Sequence, residues 1–148
     1  MATYSQCLHH IVFATKHRKP CLNAAHRRDL FAYLHGTIKR HKCHLYRING
    51  VDEHIHLLVA LHADLGTGEF VKIIKAASGN WMRNGTQFPE FEHWQEGYGA
   101  FTVSWKDKDP VIEYIKNQED HHRTVPFLEE YRGMIERAGL AWNEEYLP

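Results

Sequence analysis

The sequence predicts an α+β fold, a four-stranded antiparallel sheet with helices packed on one face and further helices at the C-terminus. Three observations predict it. Short β-branched or alternating runs end in turn residues, two amphipathic stretches repeat their apolar residues every three or four positions, and an Asp-Pro pair opens a late helix. With 148 residues, 43% hydrophobic and 24% charged, the chain fits one compact domain spanning 1–148. That length is enough to bury a core without disulfides or structural metal.

Ser5 to Thr15 reads as the first strand, stopped by the cluster Lys16-His17-Arg18-Lys19-Pro20. Asn23 is placed to cap a helix from Ala24 to about His41, with Leu30, Leu34 and Ile38 inward and Arg27, Arg28, Lys39 and Arg40 toward solvent. Cys43 to Ile48 and His54 to Leu61 form a hairpin turning at Asn49-Gly50. Thr67 opens a second helix in which Phe70, Ile73, Ile74, Ala77 and Trp81 recur, ending near Asn84-Gly85. After an aromatic loop from Phe88 to Gly97, Tyr98 to Ser104 reads as the fourth strand. Asp109 caps and Pro110 opens a helix to about His122, and a last helix runs from Phe127 to Ala138, ended by Gly139. The order β-α-β-β-α-β plus two helices is the ferredoxin-like (RRM-like) split βαβ pattern.

Composition excludes several classes. No apolar run approaches the roughly 18 residues of a membrane span, and the N-terminus has no signal-peptide segment, so a cytoplasmic protein is expected. Cys7, Cys21 and Cys43 are odd in number and never form a CxxC pair, which argues for reduced thiols rather than a disulfide framework or zinc ribbon. Walker A and HExxH motifs are absent. Net charge is zero, yet residues 1–50 hold nine Lys or Arg against the single acid Asp29, a balance of +8. Such a basic segment suits a polyanion, and equally suits a solvated helix.

Two constellations carry chemistry. His54 and His56 lie two apart in a strand, so both imidazoles project on one side, roughly 6–7 Å apart at the backbone, within reach of one ion. A chain with thirteen histidines is expected to contain about one such pair by chance, so the pair alone also fits two structural histidines. Tyr114 and Gln118 stand four apart, on one helical face, with His121 and His122 continuing the stripe. A phenol attacks poorly as a neutral group and needs an electrophile polarised by a cation. A carboxamide one turn away is a suitable neutral oxygen ligand for that cation. A half-buried core tyrosine fits the same spacing.

Taken together, Asp52-Glu53-His54-Ile55-His56-Leu57-Leu58-Val59, then Trp94 through Ser104, then Tyr114-Ile115-Lys116-Asn117-Gln118 closely resemble the single-tyrosine HUH transposases of the insertion-sequence 200/605 type. The likeness runs from Tyr4-Ser5 and the strand His10 to Thr15 to the tail Glu144 to Leu147. It implies a dimeric DNA-strand transferase that recognises single-stranded DNA hairpins and forms a 5′-phosphotyrosine. It further implies Tyr114 as nucleophile and His54, His56 and Gln118 as metal ligands, with the tyrosine helix supplied either within a subunit or across a homodimer as a composite active site. Imidazole and amide ligation suits Mg²⁺ or Mn²⁺, and the lack of a nearby cysteine disfavours zinc.

Lys16, Arg18, Lys19, Arg27, Arg28, Lys39, Arg40, Lys42 and Arg47 are candidates to neutralise phosphates. Trp94, Tyr98, Phe101 and Trp105 are candidates to stack on unpaired bases, Phe101 being also a core candidate. Metal-bound water, His121 or His122 are candidates for acid–base work. Two other readings stand beside the transposase: a noncatalytic module binding single-stranded nucleic-acid hairpins, and a hydrolase in which the histidine pair activates water.

Overall fold

A computed structural model describes residues 1–146; the last two residues of the expected domain, and with them the end of the resembling tail, lie outside it. Strands β1 (Leu8–Ala14), β2 (His44–Gly50), β3 (His54–Ala60) and β4 (Gly99–Thr102) form one antiparallel sheet in the order β2-β3-β1-β4. Helices α1 (Arg27–Arg40) and α2 (Thr67–Asn84) make the two crossovers, and α3 (Lys108–Lys116), α4 (Gln118–His121) and α5 (Phe127–Arg137) follow β4. The expected α+β architecture is the one observed.

Strand alternation divides the sheet into two chemically different faces. Ile11 and Phe13 of β1 with Ile55, Leu57 and Val59 of β3 face Leu30, Leu34 and Ile38 of α1 and Phe70, Ile74 and Met82 of α2. Those helical residues recur at four positions or multiples of four, so each helix lays one apolar stripe on the sheet. A fully buried leucine or isoleucine in this layer contributes roughly 1.5–3 kcal/mol. The opposite face carries two smaller apolar clusters. Leu8, Leu58 and Ile115 anchor α3, while Val12, Ala14, Phe127, Tyr131 and Met134 anchor α5. His10, His54 and His56 lie on this second face, in the two central strands and beneath the C-terminal helices.

Several local expectations are corrected. Asn49 and Gly50 do not turn the hairpin; they belong to β2, and residues 51–53 make the connection. The Asn49 side chain donates to Ile115 O (3.1 Å) and Lys116 O (3.0 Å), helping to satisfy carbonyls in the last turn of α3. Gly50 is required for close approach, since a Cβ there would lie 2.4 Å from the His54 carbonyl oxygen. Helix α1 begins three residues later than expected, because Asn23 Oδ1 accepts from the His26 amide and forms its own turn ahead of the helix. Arg27 is not directed to solvent: it is buried and donates to Leu22 O (3.0 Å) and Gly50 O (3.3 Å). Gly66, not Thr67, occupies the N-cap of α2, and Asp109 lies inside α3 after the N-cap Asp107. The single helix expected to His122 is interrupted at Asn117 (φ −96°, ψ 19°). Gly139 does follow the last helix, in the left-handed region at φ +78°.

Candidate active site

In β3 the period of two sends His54 and His56 to the α3–α5 face while Ile55 and Leu57 enter the main core. Their β1 partners are Ala14, opposite His54, and Val12, opposite His56. Both imidazoles are fully buried. Phe127, at the start of α5, stacks on the His54 ring with centroids 4.0 Å apart at 18°.

The interruption at Asn117 does not part Tyr114 from Gln118. Both meet the histidine pair of their own chain through one carboxylate, a residue absent from the expected set. Glu130 of α5 is buried, and its Oε1 lies 2.9 Å from His56 Nε2, 3.1 Å from His122 Nε2 and 3.5 Å from His54 Nε2. Its Oε2 accepts a short hydrogen bond from the Tyr114 hydroxyl and one of 3.1 Å from Gln118 Nε2, and lies 3.2 Å from His121 Nε2. Gln118 Oε1 is 2.9 Å from His122 Nε2, which is 3.1 Å from His54 Nε2.

Burial alone would raise the Glu130 pKa, but hydrogen bonds from His122, His54 and His56 outweigh it and hold the carboxyl far below its usual range. Burial lowers the His56 pKa to about 4 despite the Glu130 contact. For His54 burial again opposes the charged form, yet Glu130 and Glu53 outweigh it and the pKa is raised. The Tyr114 phenol is held well above its ordinary range, first by burial and then by the adjacent carboxylate. Behind His56 stands His10, also buried, with Nε2 2.9 Å from His56 Nδ1. Its pKa is lowered to about 3 by burial and by His56. A fixed partner on the second ring nitrogen is what orients a ligating imidazole and selects its tautomer.

The donor set fits a divalent cation. His54, His56, His122 and Glu130 each offer an atom within 4.8 Å of the others. Glu130, His10, and His122 as a member of this cluster stand outside the set expected from sequence. A signal for Glu130 was present: Phe127, Glu130, Tyr131 and Met134 form the buried stripe of α5, which places a carboxylate on an apolar face.

The remaining candidates are dispersed over the fold. Lys16, Arg18 and Lys19 occupy the turn after β1, which is joined to the start of β3 by the Thr15 amide donating to Glu53 O (2.8 Å). His17 and Arg18 there take left-handed backbone conformations. Arg28, Lys39 and Arg40 are exposed on α1, across the sheet from the imidazoles. Trp94 packs against the main core and donates from Nε1 to Ser78 Oγ (3.0 Å), whereas Tyr98 and Trp105 are exposed.

A family described as "Transposase IS200 like" matches residues 3–118. The chain belongs to the IS200-like transposases. The transposases of insertion sequence element IS200 from Salmonella typhimurium (strain LT2) and from Salmonella typhi are each 27% identical over 124 residues, covering 76% of this chain and 76% of theirs. Two solved structures share the transposase fold. One, from Deinococcus radiodurans R1, has TM-score 0.62 and 22% identity over 80% of this chain and 95% of its own. The other, a REP-associated tyrosine transposase bound to a REP hairpin, has TM-score 0.63 and 14% identity over 100% of this chain and 94% of its own. The match places this chain among DNA-processing enzymes. It covers His54, His56, Tyr114 and Gln118 and ends at Gln118, so His122 and Glu130 lie beyond it. Among the described residues, no helix of this transposase is long and apolar enough to cross a membrane.

Proposed function

We propose that the chain cleaves and rejoins single-stranded DNA at hairpin-bearing ends through a 5′-phosphotyrosine on Tyr114, with a divalent cation held by His54, His56 and Gln118. One observation carries the reading: the Tyr114 hydroxyl, the Gln118 amide and the Nε2 atoms of His54 and His56 converge on a single buried carboxylate. The Tyr114 hydroxyl is thereby held beside the imidazoles, where a nucleophile directed at a metal-bound phosphate is needed. The solved neighbour bound to a REP hairpin supports hairpin DNA as the ligand.

In the proposed step the Tyr114 oxygen bonds to phosphorus as the bond from phosphorus to the 3′ oxygen breaks. The phenolic proton departs, and the 3′ oxygen leaves with the electron pair and takes up a proton. Phosphodiester is exchanged for phosphodiester, so no nucleotide cofactor is consumed. When bound, Mg²⁺ or Mn²⁺ supplies Lewis-acid polarisation of a phosphate oxygen. The protein supplies position: β3 fixes both imidazoles, and the α3–α4 segment presents the phenol and the amide from the same side. Lys16, Arg18 and Lys19, beside the start of β3, are placed to hold phosphates near the site, and exposed Tyr98 to stack on a base. Tyr114 and the histidine pair meet within one chain, so the reading requires no tyrosine from a second subunit.

The test is incubation with single-stranded hairpin DNA and Mn²⁺ or Mg²⁺. A covalent protein–DNA adduct that Tyr114→Phe abolishes and His56→Ala greatly weakens is the expected result. Hairpin binding with no adduct would favour the noncatalytic module, and metal-dependent cleavage surviving in Tyr114→Phe would favour the hydrolase.

A further inference from the structure

The portion of the chain beyond the family match supplies the carboxylate that every proposed site residue touches. Glu130 divides its two oxygens between two tasks. Oε1 faces only imidazoles, those of His54, His56 and His122, at 2.9–3.5 Å. Oε2 faces the nucleophile side, accepting from the Tyr114 hydroxyl and the Gln118 amide, with His121 Nε2 3.2 Å away. The described ion-pair partners of this carboxylate are imidazoles, those of His54, His56, His121 and His122. A buried carboxylate surrounded by imidazole nitrogens is the arrangement expected of a metal ligand. Its hold on the phenol sets where the Tyr114 oxygen lies relative to the imidazoles.

We propose that Glu130 couples the cation site to the nucleophile, Oε1 completing the cation's donor set while Oε2 positions the Tyr114 oxygen. The C-terminal helix is then a working part of the active centre rather than a cover for the sheet. Its anchors, Phe127 stacked on His54 and Tyr131 and Met134 packed on Val12 and Ala14, set the height of Glu130 above β3. The inference rests on the phosphotyrosine reading above.

The test uses the full chain with Glu130→Gln, which keeps the side-chain shape but removes the charge and one of its two acceptor oxygens. Mn²⁺ affinity is measured calorimetrically on DNA-free protein, and adduct formation is timed on hairpin DNA at saturating Mn²⁺. The expected result is a loss of roughly tenfold or more in Mn²⁺ affinity, the scale seen when groups supporting a metal site are removed. The adduct rate should also fall, about tenfold or more, and saturating metal should not restore it. Glu129→Gln, an exposed neighbour, should change neither quantity. If Glu130→Gln fails to fold, Glu130→Asp, whose shorter side chain does not span both groups, is read the same way. Unchanged or tighter Mn²⁺ binding, or a wild-type adduct rate at saturating metal, overturns the coupling. An adduct that persists in Tyr114→Phe overturns the underlying reading instead, so the two failures are separable.

Discussion

Arg27 belongs to the basic N-terminal third and was a candidate for DNA contact, yet its guanidinium is turned inward. It donates from Nε to Leu22 O at 3.0 Å and from Nη1 to Gly50 O at 3.3 Å, and lies 3.5 Å from Glu119 Oε1. Hydrogen bonds from a charged donor contribute about 1.5–3 kcal/mol each. The Glu119 pair adds little because that carboxylate is 66% exposed. Arg27→Met keeps the apolar stem and removes both bonds, leaving two carbonyls without their partner, so a loss of about 3 kcal/mol is expected. For a domain of this size that corresponds to a fall in Tm of about 6–12 °C. Thermal unfolding gives the shift, and the salt dependence of hairpin binding gives the number of phosphates neutralised, each worth a slope of about 0.7 on single strands. The variant should be less stable with an unchanged slope. A Tm close to that of the wild type, with the slope reduced by one contact, would refute the reasoning.

Lys75 donates to Gln95 O (2.7 Å) and Gly97 O (2.6 Å), and burial lowers its pKa to about 8 against the pull of Glu96. Between that value and the unperturbed 10.5 the unfolded chain binds the extra proton, so this residue's contribution to stability rises with pH across the window. The urea midpoint of the wild type relative to Lys75→Met should therefore climb from pH 7.5 to 10, and a flat difference would contradict it. His10→Leu removes the partner of His56 Nδ1 and should weaken Mn²⁺ binding about tenfold; calorimetry showing wild-type affinity would remove His10 from the site.

The sheet and its main helices were legible because their signals are local. Leu30, Leu34 and Ile38, or the apolar run in β3, state their period within a few residues. The same locality exposed His54, His56, Tyr114 and Gln118. What was not legible depends on partners far along the chain. Asn49-Gly50 has turn composition, but Asn49 is drawn into β2 by carbonyls of α3, 66 and 67 positions away, and Gly50 by contact with the His54 backbone. Glu130 follows Glu129 in the first turn of α5, where acids are expected for dipole reasons alone. That expectation hides the stripe it shares with Phe127, Tyr131 and Met134 on the same helix. Arg27 was misplaced because helical periodicity assigns a face but not the carbonyls waiting on it.

Strand β3 carries two alternating messages, imidazoles upward and aliphatics downward, and its neighbours fix the phase: Val12 and Asn49 both stand opposite His56. Losing one residue within this strand would exchange the messages, sending histidines among Leu34 and Ile74 and presenting isoleucine and leucine to Tyr114. Loss of two would restore the phase but move the imidazoles along the strand, away from Gln118 and Glu130. The length of this seven-residue segment is thus as much a part of the chemistry as the identity of its side chains.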